Sequence, residues 1–252
     1  MKKVLEILAF CLMSLYLFGQ QIPSGTLLPV MLDDTIDSSQ EPGREVTAKL
    51  MQEVILPDGG KIKRESKVLG QLVAITPPSH GHKATLSVRF DRIEVEKQAL
   101  HVSVGLRAYA TMEAVATARQ PVNANSGFGT SPWDWNMVQV GGQAVFNGQR
   151  IVKSRTGQVV GRVPEPGAVL AVPMVNPARG CTGPASSTEQ SFWVFSTDAC
   201  GVYDEKNLIL VNGIGGPTVG LITFKSPKKI TIRGGSAWLL QANDGSQPSA
   251  QR

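Results

Sequence analysis

Three groups of side chains have types and spacings that could do chemistry. Asp33, Asp34 and Asp37 lie in one short stretch, and neighbouring carboxylates can divide general-acid and general-base work. A two-aspartate hydrolytic site needs Asp-Thr/Ser-Gly in a loop pressed against a second copy, and Asp34-Thr35-Ile36 lacks the glycine. The trio is therefore expected at a strand end and turn, where Asp bonds nearby backbone. His80 and His82, with His101, could ligate a metal. The first pair sits in Pro77-Pro78-Ser79-His80-Gly81-His82, which reads as a hairpin tip, and His101 falls on the polar face of its strand. Solvated histidines are the expectation, and neither a metal nor any other cofactor is expected.

Cys181 follows Arg179-Gly180, and the triplet resembles the Ser/His-x-Gly-Cys nucleophile of L,D-transpeptidases, exported enzymes that cross-link peptidoglycan. That family carries Ser or His two positions before the glycine and Arg soon after the cysteine; here Ala178 and Thr182-Gly183 stand instead. A catalytic thiol also needs a neighbouring His to form its thiolate, and no His follows residue 101. With Cys200 downstream, a Cys181–Cys200 disulfide is the expected state; the alternative is a cell-wall cross-linking enzyme using Cys181. No Gly-x-Ser-x-Gly elbow occurs, and Gly213-Ile214-Gly215-Gly216 lacks the Lys-Ser/Thr of a phosphate loop. No catalytic residue is assigned. Trp133 and Trp135 are candidate ligand-contact aromatics, able to stack on sugar or on a partner surface, with core packing as the competing reading.

The compartment is read from the N-terminus. Lys2 and Lys3 precede an apolar run over residues 7–18, and polar residues resume at Gln20. That is the layout of a secretory signal peptide over residues 1–19, with retention as a one-ended anchor as the alternative. The chain is thus expected in the periplasm or secreted, without a membrane span once the signal is removed. A lipoprotein site at Cys11 is rejected because Phe10 precedes it. The formal net charge of +5 is scattered, so nucleic acid is not an expected partner.

The elements around these residues read as strands. Hydrophobic content of 42% with charged content of 18% describes a globular chain. Ala84, Leu86, Val88 and Phe90 alternate with polar residues, as do Val46, Ala48 and Leu50, and Leu100, Val102 and Val104. Glu41-Pro42-Gly43, Pro57-Asp58-Gly59-Gly60 and Pro77-Pro78 punctuate them. Residues 109–118 read as a helix. Ala144-Val145-Phe146, Asn147-Gly148 and Arg150-Ile151-Val152 read as a tight hairpin; residues 192–195 and 237–240 read as further strands. The expected fold is all-β with very little helix. A β-barrel-like domain is placed over 22–110, a short helix and linker over 111–132, a disulfide-bearing β-sandwich-like domain over 133–241, and a disordered tail over 242–252.

The first of these domains carries a family resemblance. Gly25-Thr26 with Pro29, Ile36-Asp37-Ser38, Pro42-Gly43, Leu56-Pro57 and Ser66 with Gly70 follow one another as in the C-terminal β-barrel domain of the TrbI-like conjugation scaffold family. Residues 25–105 resemble that domain, which belongs to envelope-spanning type IV secretion complexes. The whole chain is also similar to uncharacterised exported bacterial proteins that share the segment from Asn176 to Tyr203. The resemblance implies a β-barrel at the cell envelope, and an accessory role in a secretion complex is one implied function. The main expectation is a non-enzymatic binding or scaffold module with an envelope protein or glycan partner.

Overall fold

Burial is almost continuous along β1 (Leu27–Leu32), where Leu28, Val30 and Leu32 enter one core cluster and Leu27 enters another. A strand with both faces covered must lie between two layers. In the computed structural model, which describes residues 22–243 except 57–58, 96–97, 123–128, 182–186 and 212–219, those layers are two large sheets. The expected signal segment, the glycine run at 213–216 and the tail beyond Asn243 lie outside the described residues.

The first sheet takes β1, β3 (Glu45–Leu50), β6 (Lys67–Thr76), β7 (Ala84–Val95), β8 (Gln98–His101) and β9 (Val104–Ala110) from the first half of the chain. From the second half it takes β16 (Gly201–Tyr203), β17 (Ile209–Leu210), β18 (Ile222–Ser226) and β20 (Ala237–Ala242). Its order is β16-β9-β20-β1-β3-β6-β7-β18-β17, with β8 on β7. Only the β16–β9 pair is parallel. The second sheet is an antiparallel meander: β10 (Asn136–Val138), β11 (Ala144–Phe146), β12 (Ile151–Lys153), β13 (Val159–Arg162), β14 (Leu170–Ala171) and β15 (Gln190–Ser191). Two small ribbons pair β2 (Ile36–Asp37) with β19 (Thr231–Ile232), and β4 (Val54–Ile55) with β5 (Lys61–Ile62).

Four aromatic rings show that the first sheet is curled. Trp238 on β20 meets Phe224 on β18 at 5.4 Å between ring centroids, Phe90 on β7 at 5.7 Å and Tyr109 on β9 at 6.0 Å. In strand order, β1, β3, β6 and β7 lie between β20 and β18. Flat, those five spacings would hold the two rings roughly 24 Å apart. The sheet therefore folds over its own inner face, and the connection from Tyr203 to Ile209 joins its two edge strands. The all-β expectation holds. Among the described residues there is one α-helix, α1 (Met112–Ala118), capped by Thr111, whose hydroxyl accepts from the Ala114 amide.

Strand pairing does not follow the expected division of the chain. Residues 201–242 lie not with the meander but back in the first sheet, where β20 is the central rung between β1 and β9. The apolar side chains of β20 account for this: Trp238, Leu240 and Ala242 fill the inner core, and Ala237 and Leu239 face the meander. A disordered tail from 242 is corrected for the same reason, since Ala242 is buried and its amide donates to the Thr26 carbonyl. The helix expected over 109–118 begins later, because Tyr109 and Ala110 still belong to β9. The hairpin at Asn147-Gly148 is wider than a two-residue turn. Phe146 pairs with Ile151, and Arg150 takes the positive φ of 55°.

Gly70 shows why one residue of the resemblance pattern is glycine. The β6–β7 register shifts beside it, and a Cβ there would stand 2.1 Å from the backbone oxygen of Arg89. Gly70→Ala is expected to destabilise the fold by about 2–3 kcal/mol through backbone displacement. Chemical denaturation measures it, and a change below about 0.5 kcal/mol would contradict the close strand approach.

Candidate functional site

The meander docks on the first sheet through side-chain-to-backbone bonds. Buried Gln52, just after β3, donates from Nε2 to the Val169 carbonyl (2.8 Å) and accepts at Oε1 from the amides of Val169 (2.9 Å) and Trp193 (3.0 Å). Gln190 Oε1 accepts from the Leu27 amide, and Ser191 Oγ donates to the Glu53 carbonyl. Gln139, also buried, donates from Nε2 to the carbonyls of Trp193 (3.0 Å) and Phe195 (2.6 Å). These two amides clamp a turn in which the Phe195 amide donates to the Phe192 carbonyl and Trp193 takes φ 48°. A bulky residue in the left-handed region is rare and persists only where its surroundings enforce it. The run 192–195 is thus a clamped turn and not the expected strand.

Trp193 forms part of the wall of a cleft of about 200 Å³ between the two sheets. Met51, the end of α1 with Arg119, Trp135, Met137, Gln139, Asn147, Arg64 and the stretch Pro166 to Val169 are also part of it. Three of these residues each hold one buried polar atom without a hydrogen-bond partner: Trp135 Nε1, Gln139 Oε1 and Asn147 Oδ1. The amide orientations are fixed by the partners of their nitrogens, since Asn147 Nδ2 donates to the Pro132 carbonyl as Gln139 Nε2 does to its two. Unpaired buried polar atoms are costly and call for an explanation. Here all three among the described residues belong to one wall. The wall has two guanidinium groups and no carboxylate.

The candidates singled out in the sequence fall in several places. Trp135 lines this cleft. Trp133 does not; its ring is covered by the Arg150 guanidinium at 4.7 Å. Asp33 pairs with Lys49 (3.4 Å), and Asp37 accepts from the Ser39 amide (2.7 Å) and hydroxyl and faces Lys229 (3.2 Å). Those bonds, the Ser39 hydroxyl first, hold the Asp37 carboxyl below its ordinary pKa. His80 and His82 are exposed at the β6–β7 turn, while His101 pairs with Arg92 far along β7, roughly 26 Å from that turn at strand rise. The three are not brought together. Cys181 and Cys200 form a disulfide, so neither is a free thiol.

Arg107 is a residue the sequence reading missed. Its side chain is buried and donates to the carbonyls of Met174, Thr197 (3.3 Å) and Ala199 (3.1 Å), beside the disulfide. Burial lowers its pKa and the nearby Asp198 charge opposes that shift. The register explains its position: Leu239 pairs with Ala108 and Leu240 with Leu106, so Arg107 is the extra residue of a β-bulge.

The disulfide is expected to stabilise the fold by about 3 kcal/mol in the chain-entropy model. Cys181→Ala and Cys200→Ala should show matched losses of that size in urea unfolding, and the double variant little more. Unequal losses would contradict a purely structural bridge.

A larger cleft of about 540 Å³ lies beside Tyr109, Asp204 and Lys228, but Glu113 and Arg233 on its wall already pair with one another (2.8 Å). Among the described residues no cluster of His, Cys, Asp or Glu could hold a metal, and no helix is long and apolar enough to cross a membrane. The chain matches no protein-family model, no curated protein and no solved structure.

Proposed function

We propose that this chain is a binding or scaffold module of the exported space, with the Trp135–Trp193 cleft as its ligand site. The observation that carries the reading is a cleft between the two sheets that brings Trp135, Trp193, Met51 and Met137 together with the guanidinium groups of Arg64 and Arg119 and no carboxylate. Small-ligand sites combine apolar and aromatic walls with a few fixed polar groups in this way. The disulfide supports an oxidising compartment, as does the signal-like N-terminal segment. The TrbI-like pattern over residues 25–105 adds the cell envelope as the setting and an envelope protein or glycan as the partner class.

The purified chain is expected to co-sediment with isolated envelope material, and Trp135→Ala to reduce retention about tenfold, the effect of removing an aromatic anchor. Trp135→Phe, which keeps a ring, should retain more. Melting temperatures recorded alongside separate loss of binding from loss of fold. Equal retention of wild type and Trp135→Ala, or none for either, would refute the reading.

A further inference from the structure

A groove of about 630 Å³ lies at the seam of the curled sheet, lined by β17, by the start of β16 and by Leu106 and Arg107 of β9. Its walls are largely aliphatic. Leu106 and Leu208 are buried, while Ile209 and Val211 remain 48% and 46% exposed. Large apolar side chains gathered at a surface mark a place for a partner. The guanidinium groups of Arg107 and Arg179 stand on the same wall, and no carboxylate does. Arg107 is only 7% exposed and uses Nε and Nη2 on three carbonyls. Its Nη1 has no acceptor among the described residues. Unlike the sealed atoms of Trp135, Gln139 and Asn147, it keeps contact with the groove. Among the described residues Arg107 forms no ion pair, and Asp198 acts on it only through space. A buried cation is costly without an anionic partner, and an anion in this groove would supply one. A backbone rung is open as well. The Val211 amide donates to the Thr223 carbonyl, and Ile209 stands opposite Lys225. Alternate residues of an antiparallel strand bond the neighbouring strand. The N–H and C=O of Leu210, between them, therefore point away from β18 along the free edge of the sheet.

We infer that this groove binds the free C-terminus of a partner polypeptide, an extended segment with aliphatic last residues. Its carboxylate meets Nη1 of Arg107, its side chains lie against Ile209 and Val211, and its backbone pairs with the Leu210 rung. Strand addition and capture of a terminal carboxylate are both recurring modes of peptide recognition. A fatty acid offers the carboxylate and the apolar chain but has no backbone for the rung. The groove shares no lining residue with the Trp135 cleft, so the inference goes beyond the reading above and does not depend on it.

The test is a fluorescence-anisotropy titration of the purified chain into a labelled pentapeptide, Ser-Thr-Val-Leu-Val, with a free C-terminus. Saturable binding is expected, and the C-terminal amide of the same peptide should bind about tenfold more weakly for want of the charge-assisted bond. Octanoate should displace the peptide only at far higher concentration. Val211→Asp sets a carboxylate on the exposed wall and should abolish binding with the melting temperature unchanged. Arg107→Lys keeps the charge and loses the fork, so the free acid should fall toward the level of the amide. If Arg107→Lys does not fold, Val211→Asp and the amide comparison decide the matter. Trp135→Ala should leave the peptide's affinity unchanged. Absence of saturable binding overturns the inference, and so does equal binding of acid and amide, which would remove the carboxylate contact. Octanoate binding as tightly as the peptide would make the groove a fatty-acid site and overturns it too. Wild-type affinity in Val211→Asp would do the same. Loss of peptide binding in Trp135→Ala alone would place the peptide in the Trp135 cleft, refuting this groove while leaving that cleft standing.

Discussion

Trp238→Ala is expected to lower the unfolding free energy by about 3–5 kcal/mol, the range for truncating a large buried aromatic. The indole is fully buried, meets Phe90, Tyr109 and Phe224 edge-to-face, and donates from Nε1 to the Ser236 hydroxyl at 3.2 Å. Those three rings stand on three different strands, so the cavity left by Ala opens where the curled sheet meets itself. Neighbouring side chains cannot collapse into it without moving whole strands, which places the cost high in that range. Trp238→Phe should lose less, because it keeps ring contacts and forfeits only area and one hydrogen bond. Equilibrium denaturation measures both. A loss below about 1 kcal/mol for the alanine variant would mean that the sheet is not held closed by this quartet.

The second large effect is expected at Gln52. Gln52→Leu keeps the side chain's approximate size but strands the Val169 and Trp193 amides, while the Val169 carbonyl keeps its bond from the Phe192 amide. Each buried group left unpaired costs about 1–3 kcal/mol, so for two amides a total of about 2–4 kcal/mol is expected after the added apolar contact offsets part of the loss. The change should also release the Trp193 turn, because one of its two clamps is gone. Trp193 is then held at φ 48° by the Gln139 clamp alone, and a bulky residue is under strain in that region. Hydrogen exchange at the Trp193 amide should accelerate well beyond the global change in stability. Stability lost without local acceleration would show that Gln52 joins the sheets but does not hold the turn.

The all-β class was readable because polar and apolar residues alternate so cleanly over Ala84 to Phe90 and over Val46 to Leu50, where one face is core and the other is not. The alternation was followed only to Val104, short of the point where the register breaks. Leu106 and Tyr109 both point into the inner core although an odd number of steps separates them, because the bulge at Arg107 shifts the phase. A bulge leaves no signature in hydropathy, so nothing in the sequence singled out Arg107. The run Phe192 to Phe195 reads as a strand by propensity, and only the amides of Gln52 and Gln139, distant in sequence, make it a turn. The division at 111–132 is not followed by the strand pairing for a similar reason: a strand's partner cannot be read from its own composition, and β20 pairs with β1 across most of the chain. Of the cleft, Trp135 was visible as an aromatic, while Trp193 and the unpaired amide oxygens depend on tertiary placement.

The position of β20 also governs when this protein can fold. β1 and β9, made early, have as their shared neighbour a strand that emerges last among the described elements. Until Ala237–Ala242 is present, β1 and β9 each expose a ladder edge and the inner core lacks Trp238. Pairings so distant in sequence carry a large loop-closure cost and form slowly. A chain emerging N-terminus first would therefore stay open until its final strands arrive. Delayed closure of that kind leaves strand edges open to pairing with other chains until β20 is in place.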